Sequence, residues 1–144
     1  MCNPEKLLEN NRAWANKCQE DNPGYFDRLS AVHDPEFFWI GCSDSRVPAN
    51  EITGLQPGQV FVHRNVGNQV HHTDLNCLSA AQYSVDVLGV KHIVITGHYD
   101  CGGVRAALAG QHHGLVDNWI RSIRGTYVLN HKNLELLPGH QRVL

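Results

Sequence analysis

Short apolar runs alternate along the chain with longer amphipathic segments. Three runs have the length of a β-strand, and they lie at residues 36–42, 60–63 and 92–96. The first run is almost continuously apolar, which is typical of a strand covered on both faces of a parallel sheet. Because helical patterns separate the runs, the sequence predicts an α/β fold, with a mostly parallel β-sheet flanked by helices.

The amphipathic segments predict the helices and their ends. Residues 4–20 form the first helix, 25–32 a short second one, and Pro48 fits the first turn of a third. A longer helix is predicted after Thr73 as its cap, with an apolar stripe facing the core. The stripe consists of Leu75, Leu78, Gln82, Val85 and Leu88. Gly102 and Gly103 open the next helix, which ends near Gly110, and residues 116–123 begin another.

Length and patterning predict a single domain with an N-terminal helical arm. The chain has 144 residues, which is the size of one domain with a working core. The arm occupies residues 1–35, and the α/β domain occupies residues 36–144. No internal repeat or low-complexity linker interrupts this arrangement.

Two groups of polar residues directly follow two of the predicted strands. Cys42 ends the first strand, and His98 and Cys101 follow the third. Since the carboxyl ends of neighbouring parallel strands meet at one edge of a sheet, these side chains are expected to come together. Two thiolates and one imidazole are three protein ligands, the number that leaves a catalytic zinc ion an open position. A lone cysteine after a strand is more often simply buried, so the prediction rests on the combination.

Composition and charge limit the binding partners and the cellular compartment that can be expected for this chain. The formal net charge is −2 with interspersed signs, which gives no basic surface for nucleic acid. The N-terminus lacks a signal-peptide pattern and no run approaches the length of a membrane span, so a cytoplasmic protein without membrane partners is expected. The five cysteines are odd in number and scattered, which favours thiols or metal ligands over disulfides. Cys2, Cys18 and Cys77 are interpreted as non-ligands, and Cys77 as buried.

The motifs resemble those of a known family. Cys-x-Asp-x-Arg at 42–46 and His-x-x-Cys-Gly-Gly at 98–103, together with residues 61–68, are similar to the zinc site of β-class carbonic anhydrases of the bacterial type. The resemblance extends from about residue 13 to about residue 124. It implies one Zn²⁺ per chain bound by Cys42, His98 and Cys101, and reversible hydration of carbon dioxide to bicarbonate and a proton through attack by zinc-bound hydroxide.

The resemblance also implies roles for Asp44 and Arg46. These residues lie two positions apart and therefore on the same side of an extended segment. Paired with Arg46, the Asp44 carboxylate would orient the hydroxide; in some family members this aspartate instead becomes the fourth zinc ligand and closes the site. The alternative is a plain salt bridge that holds the loop.

Other residues resemble the substrate pocket and a regulatory site of the family. The implied pocket residues are Phe61, Val66, Leu78, Tyr83, Gly102 and Gly103. For Leu78 an ordinary core position is an equal alternative. Trp39 and Arg64 resemble part of a non-catalytic bicarbonate site whose tyrosine would lie beyond Leu144, so that site is expected to be incomplete. His33 stands where many relatives have a glutamine that donates to bicarbonate.

The same resemblance implies self-association as a dimer or tetramer, with the N-terminal helix reaching a second subunit; packing of that helix on its own sheet is the alternative. Family members usually continue beyond the position of Leu144, so the chain is expected to be truncated or minimal. Two other functions stay open, namely a zinc-stabilised binding or regulatory protein without catalysis, and a hydrolase acting on carbon disulfide. A thiol redox protein is disfavoured because Cys42 and Cys101 do not form a Cys-x-x-Cys pair.

Overall fold

A computed structural model of the chain describes residues 3–137. The chain divides into two compact units, Met1–Asp34 and Pro35–Leu144. In the first unit, helix α1 spans Pro4–Asp21 and helix α2 spans Tyr25–Ala31. Asn3 caps α1 by accepting a hydrogen bond from the Lys6 backbone N–H at 2.8 Å, and neither helix buries a side chain in the described part of the protein. The predicted helices are therefore present, and most of their large apolar side chains are exposed.

The second unit contains a three-stranded parallel sheet. Strand β1 spans Phe37–Cys42, β2 spans Val60–Asn65 and β3 spans His92–Thr96. The order is β2-β1-β3, with β1 parallel to both neighbours. β1 is buried along nearly its whole length, as its continuous apolar pattern predicts. The α/β fold with a parallel sheet is confirmed.

The helices of the second unit connect and flank the strands. They are α3 (Ala49–Thr53), α4 (Leu75–Gln82), α5 (Gly102–Ala109) and α6 (Leu115–Glu135). α4 continues into a π-helical turn at Tyr83–Val87. Among residues 3–137, no helix is both long and apolar enough to cross a bilayer.

The predicted apolar stripe of α4 is wrong. The cap of the helix is Asp74 rather than Thr73, and its carboxylate accepts from the Asn76 backbone N–H at 3.1 Å. Leu75 and Val85 are 76% and 48% exposed. The buried positions are Cys77 and Ser84. The π-helical turn adds a residue to one helical turn, so a stripe drawn at 3.6 residues per turn does not continue through it.

The core forms where one face of β1 meets α4. Phe38, Ile40 and Cys77 make up the buried cluster. Partly buried side chains pack around it, namely Phe61, Ala80, Ala81 and Val90. The burial predicted for Cys77 is confirmed. On β3, in contrast, Ile93 and Ile95 are 53% and 58% exposed, so this strand is covered less completely than β1.

Candidate metal centre

The carboxyl ends of β1 and β3 bring three metal-binding side chains together. Cys42 is the last residue of β1, His98 lies two residues beyond β3, and Cys101 caps α5. Because Gly41 of β1 is paired with Thr96 of β3, the two strand ends are adjacent. The ligand atoms of Cys42, His98 and Cys101 all lie within 4.8 Å of one another, and the two sulfur atoms are 3.8 Å apart. The predicted juxtaposition is present.

The His98 imidazole is prepared to bind a cation. Its Nδ1–H donates to the Tyr99 carbonyl oxygen at 2.9 Å, so the lone pair is on Nε2. That Nε2 atom is buried and meets no hydrogen-bond partner among residues 3–137. Leaving a buried nitrogen unsatisfied is unfavourable by about 1–3 kcal/mol, whereas a metal ion would satisfy it. An N–H donated to a backbone carbonyl is also the usual support of a metal-binding histidine. The residues present therefore fit a zinc ion.

Backbone amides support the two thiols. The Gly67 N–H donates to Cys42 Sγ at 3.4 Å. Burial raises the pKa of Cys42, but the backbone N–H groups of Asp44 and Gly67, together with the neighbouring His98 and Cys101 side chains, outweigh it and lower this pKa to about 7. Burial also raises the pKa of Cys101, and there the N–H groups of Val104 and Gly103 oppose it only in part. The thiolate is the form that binds a metal, so these amides favour the ligating state.

Asp44 and Arg46 form a bidentate ion pair beside the three ligands. Arg46 Nε donates to Asp44 Oδ1 at 2.9 Å, and Nη2 donates to Oδ2 at 2.7 Å. These hydrogen bonds hold the pKa of the Asp44 carboxyl well below its usual range. Asp44 Oδ2 lies 3.9 Å from His98 Nε2. Asp44 thus faces the metal centre while its carboxylate is held by Arg46.

Asp100 extends this ion pair, and the sequence analysis did not identify it. Its carbonyl oxygen accepts from Arg46 Nη2 at 3.0 Å, and its carboxylate lies 3.5 Å from Arg46 Nη1 and 2.8 Å from Arg105 Nη1. Asp100 has a positive φ of 55°, which turns the chain between His98 and Cys101. The sequence offered one indication of a role for Asp100, which is its position between the predicted ligands His98 and Cys101. Asp100 anchors the outer side of the Arg46 guanidinium.

Comparison with known proteins decides the family. The model of the carbonic anhydrase family matches residues 37–142. The chain belongs to the β-class carbonic anhydrase family. A carbonic anhydrase of Emericella nidulans is 50% identical over 133 residues, which cover 92% of this chain and 58% of that protein. A carbonic anhydrase of Candida albicans is 35% identical over 133 residues, which cover 91% of this chain and 47% of that protein.

Solved β-carbonic anhydrases share the fold. A structure described as one of two tetrameric β-carbonic anhydrases from Sordaria macrospora superposes with a TM-score of 0.88 at 40% identity, covering 95% of this chain and 70% of that one. A β-carbonic anhydrase of Aspergillus fumigatus gives a TM-score of 0.86 at 41% identity, covering 93% and 64% respectively. The chain therefore spans between about half and seven-tenths of the lengths of these relatives.

The predicted pocket residues fall into two groups. Gly103 is buried at the start of α5, just after Gly102. A Cβ placed on Gly103 would lie 3.0 Å from Val66 Cγ1, so the loop after β2 packs against α5. Phe61 and Tyr83 have ring centroids 5.8 Å apart, and Phe61 also contacts the core residue Phe38. Leu78 is half-buried, whereas His33 is exposed in the first unit. The substrate roles of these residues stay predictions.

Trp39 and Arg64 lie on neighbouring strands. Trp39 is buried on β1, and its indole occupies the space that a side chain at Gly41 would need. Arg64 Nε donates to the Cys42 carbonyl oxygen at 2.8 Å, and Nη2 donates to the Asp44 carbonyl oxygen. Arg64 thus holds the loop that carries the metal centre. Its predicted role in a bicarbonate site is not tested by these contacts and stays a prediction.

A second group of donors occurs at the core, where the sequence analysis predicted no metal. The ligand atoms of His63, Asp74 and Cys77 also lie within 4.8 Å of one another. Here, however, Asp74 caps α4 and Cys77 belongs to the apolar cluster with Phe38 and Ile40. Burial and, secondarily, the charge of Asp74 raise the pKa of the Cys77 thiol. We interpret this group as structural.

Proposed function

We propose that the chain performs the reversible hydration of carbon dioxide to bicarbonate and a proton, with one Zn²⁺ bound by Cys42, His98 and Cys101. The observation that carries the proposal is the buried, unpartnered His98 Nε2 beside two sulfur atoms 3.8 Å apart. A zinc ion in such a ligand set lowers the pKa of water and supplies a hydroxide nucleophile. The activity is a proposal because the chain spans only 58% of the Emericella nidulans enzyme.

Asp44 is the residue that would orient the nucleophile. Its carboxylate is ionised at working pH because Arg46 lowers its pKa, so both oxygens can only accept hydrogen bonds. Oδ2 faces His98 at 3.9 Å while it accepts from Arg46 Nη2. A free lone pair on Oδ2 can thus accept a hydrogen bond from the attacking O–H group and direct the oxygen lone pair towards carbon dioxide.

Arg46 has a positioning role in this proposal. Its three hydrogen bonds to Asp44, two from the guanidinium and one from the backbone N–H, keep the carboxylate from rotating onto the metal position, where the family resemblance implies an inhibited state. Asp100 limits the movement of Arg46 in turn, through both its carbonyl and its carboxylate. The open arrangement is therefore held by a chain of charged groups rather than by one contact.

The start of α5 would receive the product anion. Gly102 and Gly103 belong to the first turn of this eight-residue helix, where the helix dipole favours negative charge, and the Gly103 N–H is already directed at the Cys101 sulfur. Val66 supplies an apolar wall at Gly103, and we propose Phe61 and Tyr83 as further pocket residues. A small apolar substrate needs little more than such a wall and one or two donors.

We also propose self-association as a dimer or tetramer in the cytoplasm, without nucleic-acid or membrane partners. The Sordaria macrospora relative is described as tetrameric. In this chain, Leu7, Leu8 and Trp14 of α1 are all more than half exposed, which suits a helix that packs on another subunit.

Stopped-flow hydration of carbon dioxide, measured from about pH 6.5 to about pH 9 on protein of known zinc content, tests the proposal. We expect a rate that rises with pH in protein with about one zinc per chain. Zinc bound without turnover at any pH would overturn the proposal. That result would favour a zinc-stabilised binding or regulatory protein instead.

A further inference from the structure

One peptide group connects the metal centre with α6. The peptide between Val66 and Gly67, in the loop after β2, uses both of its polar ends. Its N–H, on Gly67, donates to Cys42 Sγ at 3.4 Å. Its carbonyl, on Val66, accepts from the Trp119 indole Nε1–H at 2.7 Å and from Gln69 Nε2 at 3.3 Å. A hydrogen-bonded path therefore runs from the α6 indole through one peptide to a predicted metal ligand.

We propose that Trp119 is a positioning residue for the Cys42 thiolate, acting through the Val66–Gly67 peptide; this inference rests on the proposed metal site. Because a peptide group is planar, fixing its carbonyl also fixes the direction of its N–H. Hydrogen bonds in a chain polarise one another, so the indole strengthens the N–H as a donor to sulfur. Groups that support a metal ligand in this way tune both affinity and electronic properties.

Packing leaves this peptide little freedom to turn. Gly67 is buried with a φ of +78°, and a Cβ on it would lie 2.9 Å from Ile123 Cδ1 of α6. On the other side, a Cβ on Gly103 of α5 would lie 3.4 Å from Gly67 N. The peptide is thus confined between the two helices, which is where a directional contact from Trp119 has the most effect.

Trp119 is itself held in place. Its ring contacts His71 edge to face with a centroid distance of 5.0 Å, and its carbonyl oxygen accepts from Gln69 Nε2 at 3.2 Å. Ser122 Oγ donates to Gln69 Oε1 and lies 3.2 Å from His71 Nε2. Side chains of α6 and of the β2 loop therefore fix the indole before it contacts Val66.

The test replaces the indole with a ring of similar packing that has no N–H, Trp119→Phe, and uses Co²⁺ as the probe. In the unchanged protein, Co²⁺ should give a sulfur-to-cobalt charge-transfer band. Loss of the indole N–H weakens the hydrogen bond from the Gly67 N–H to the Cys42 sulfur. The thiolate then becomes a stronger electron donor, so Trp119→Phe should move this band to longer wavelength. We expect Co²⁺ release to a chelator to become about tenfold faster, the lower end of the usual effect of losing such support.

Two control variants separate positioning from general loosening. Trp14→Phe makes the same replacement in α1, and Asn118→Ala removes a hydrogen bond from Arg121 within α6 without touching the residues that hold the indole. Both should leave the band and the release rate near those of the unchanged protein. A Trp119→Phe band at the unchanged wavelength, or an equal change in Asn118→Ala, would overturn the inference.

Two further measurements on the unchanged protein test the Trp119 contact and the metal site separately. If Trp119→Phe does not fold, the indole proton of the unchanged protein can be measured by NMR. Slow exchange with solvent supports the Val66 contact, and exchange at the rate of a free indole overturns it. If the unchanged protein gives no charge-transfer band at all, the metal site is wrong and the inference fails with it, which distinguishes that failure from loss of the Trp119 effect alone.

Discussion

Two groups of three donors have the same spacing but different surroundings. In both the Cys42–His98–Cys101 group and the His63–Asp74–Cys77 group, the ligand atoms lie within 4.8 Å of one another. In the first group His98 Nε2 meets no hydrogen-bond partner within residues 3–137, and a backbone amide donates to the Cys42 sulfur. In the second group the carboxylate is occupied as a helix cap, and the thiol is packed in the apolar core.

The two thiols differ accordingly in their ionisation. Burial acts on both, but at Cys42 the backbone amides of Asp44 and Gly67, together with the His98 and Cys101 side chains, reverse its effect and lower the pKa to about 7. At Cys77 burial and the charge of Asp74 act in the same direction and raise the pKa. Close donor atoms are thus not sufficient for a metal site, since the second group lacks the supporting contacts that favour an ionised ligand.

The largest expected difference between the two donor groups is in bound zinc after one cysteine of each group is replaced by alanine. Cys101→Ala removes one of three ligands, so bound zinc should fall from about one per chain to near zero. Cys77→Ala, the matched cysteine replacement in the other group, should retain full metal. Elemental analysis of the purified proteins measures both. Full zinc in Cys101→Ala would show that the ligand assignment is wrong.

Most of the metal centre could be predicted from sequence because it follows the strand ends. Cys42, His98 and Cys101 flank β1 and β3, and parallel pairing of those strands is sufficient to bring them together. Asp100 was missed because its contribution depends on a positive φ and on the reach of Arg46, which no local pattern reports. The Trp119 contact spans 53 residues and depends on how α6 packs.

One error of the sequence analysis occurs where helix geometry departs from the regular period. The expected burial of Val85 failed because this residue lies in the π-helical turn that follows α4, where the buried position is Ser84. Leu75 lies before that turn, and it is exposed in the first turn of α4. The sequence contains no signal for a π-helical turn here, whereas the strand boundaries were close to those observed.

The next effect concerns the two aspartates. Asp44→Asn should keep zinc but reduce the rate of carbon dioxide hydration by about 10²-fold or more. An amide cannot replace a carboxylate that accepts hydrogen bonds from both Arg46 and the attacking O–H group. Asp74→Asn, the same replacement in the other group, should leave turnover unchanged. Stopped-flow rates at equal zinc content measure the difference. Undiminished turnover in Asp44→Asn would limit Asp44 to holding its loop.

A smaller effect concerns stability at alkaline pH. Cys77→Ala leaves a small void in the core and should lower the free energy of unfolding by about 1 kcal/mol at neutral pH. Because the folded state raises the pKa of Cys77, the thiol's contribution is complete below its ordinary value, about 8.5, and is lost as pH rises towards the folded value. The stability gap between the two proteins should therefore narrow above about pH 8.5 in denaturant titrations. A constant gap would contradict the raised pKa.

The smallest effect is expected for Asp74→Asn in the free energy of unfolding. Asparagine caps a helix about as well as aspartate, so the hydrogen bond to the Asn76 N–H can persist, and only the charge at the start of α4 is lost. Denaturant titration at neutral pH should show a change within about 0.5 kcal/mol. Since the Asp74 charge contributes to the raised pKa of Cys77, the variant should also lose less stability than the unchanged protein at alkaline pH. Loss of bound zinc in this variant would instead make the second group a metal site, because Asp74→Asn leaves Cys42, His98 and Cys101 intact.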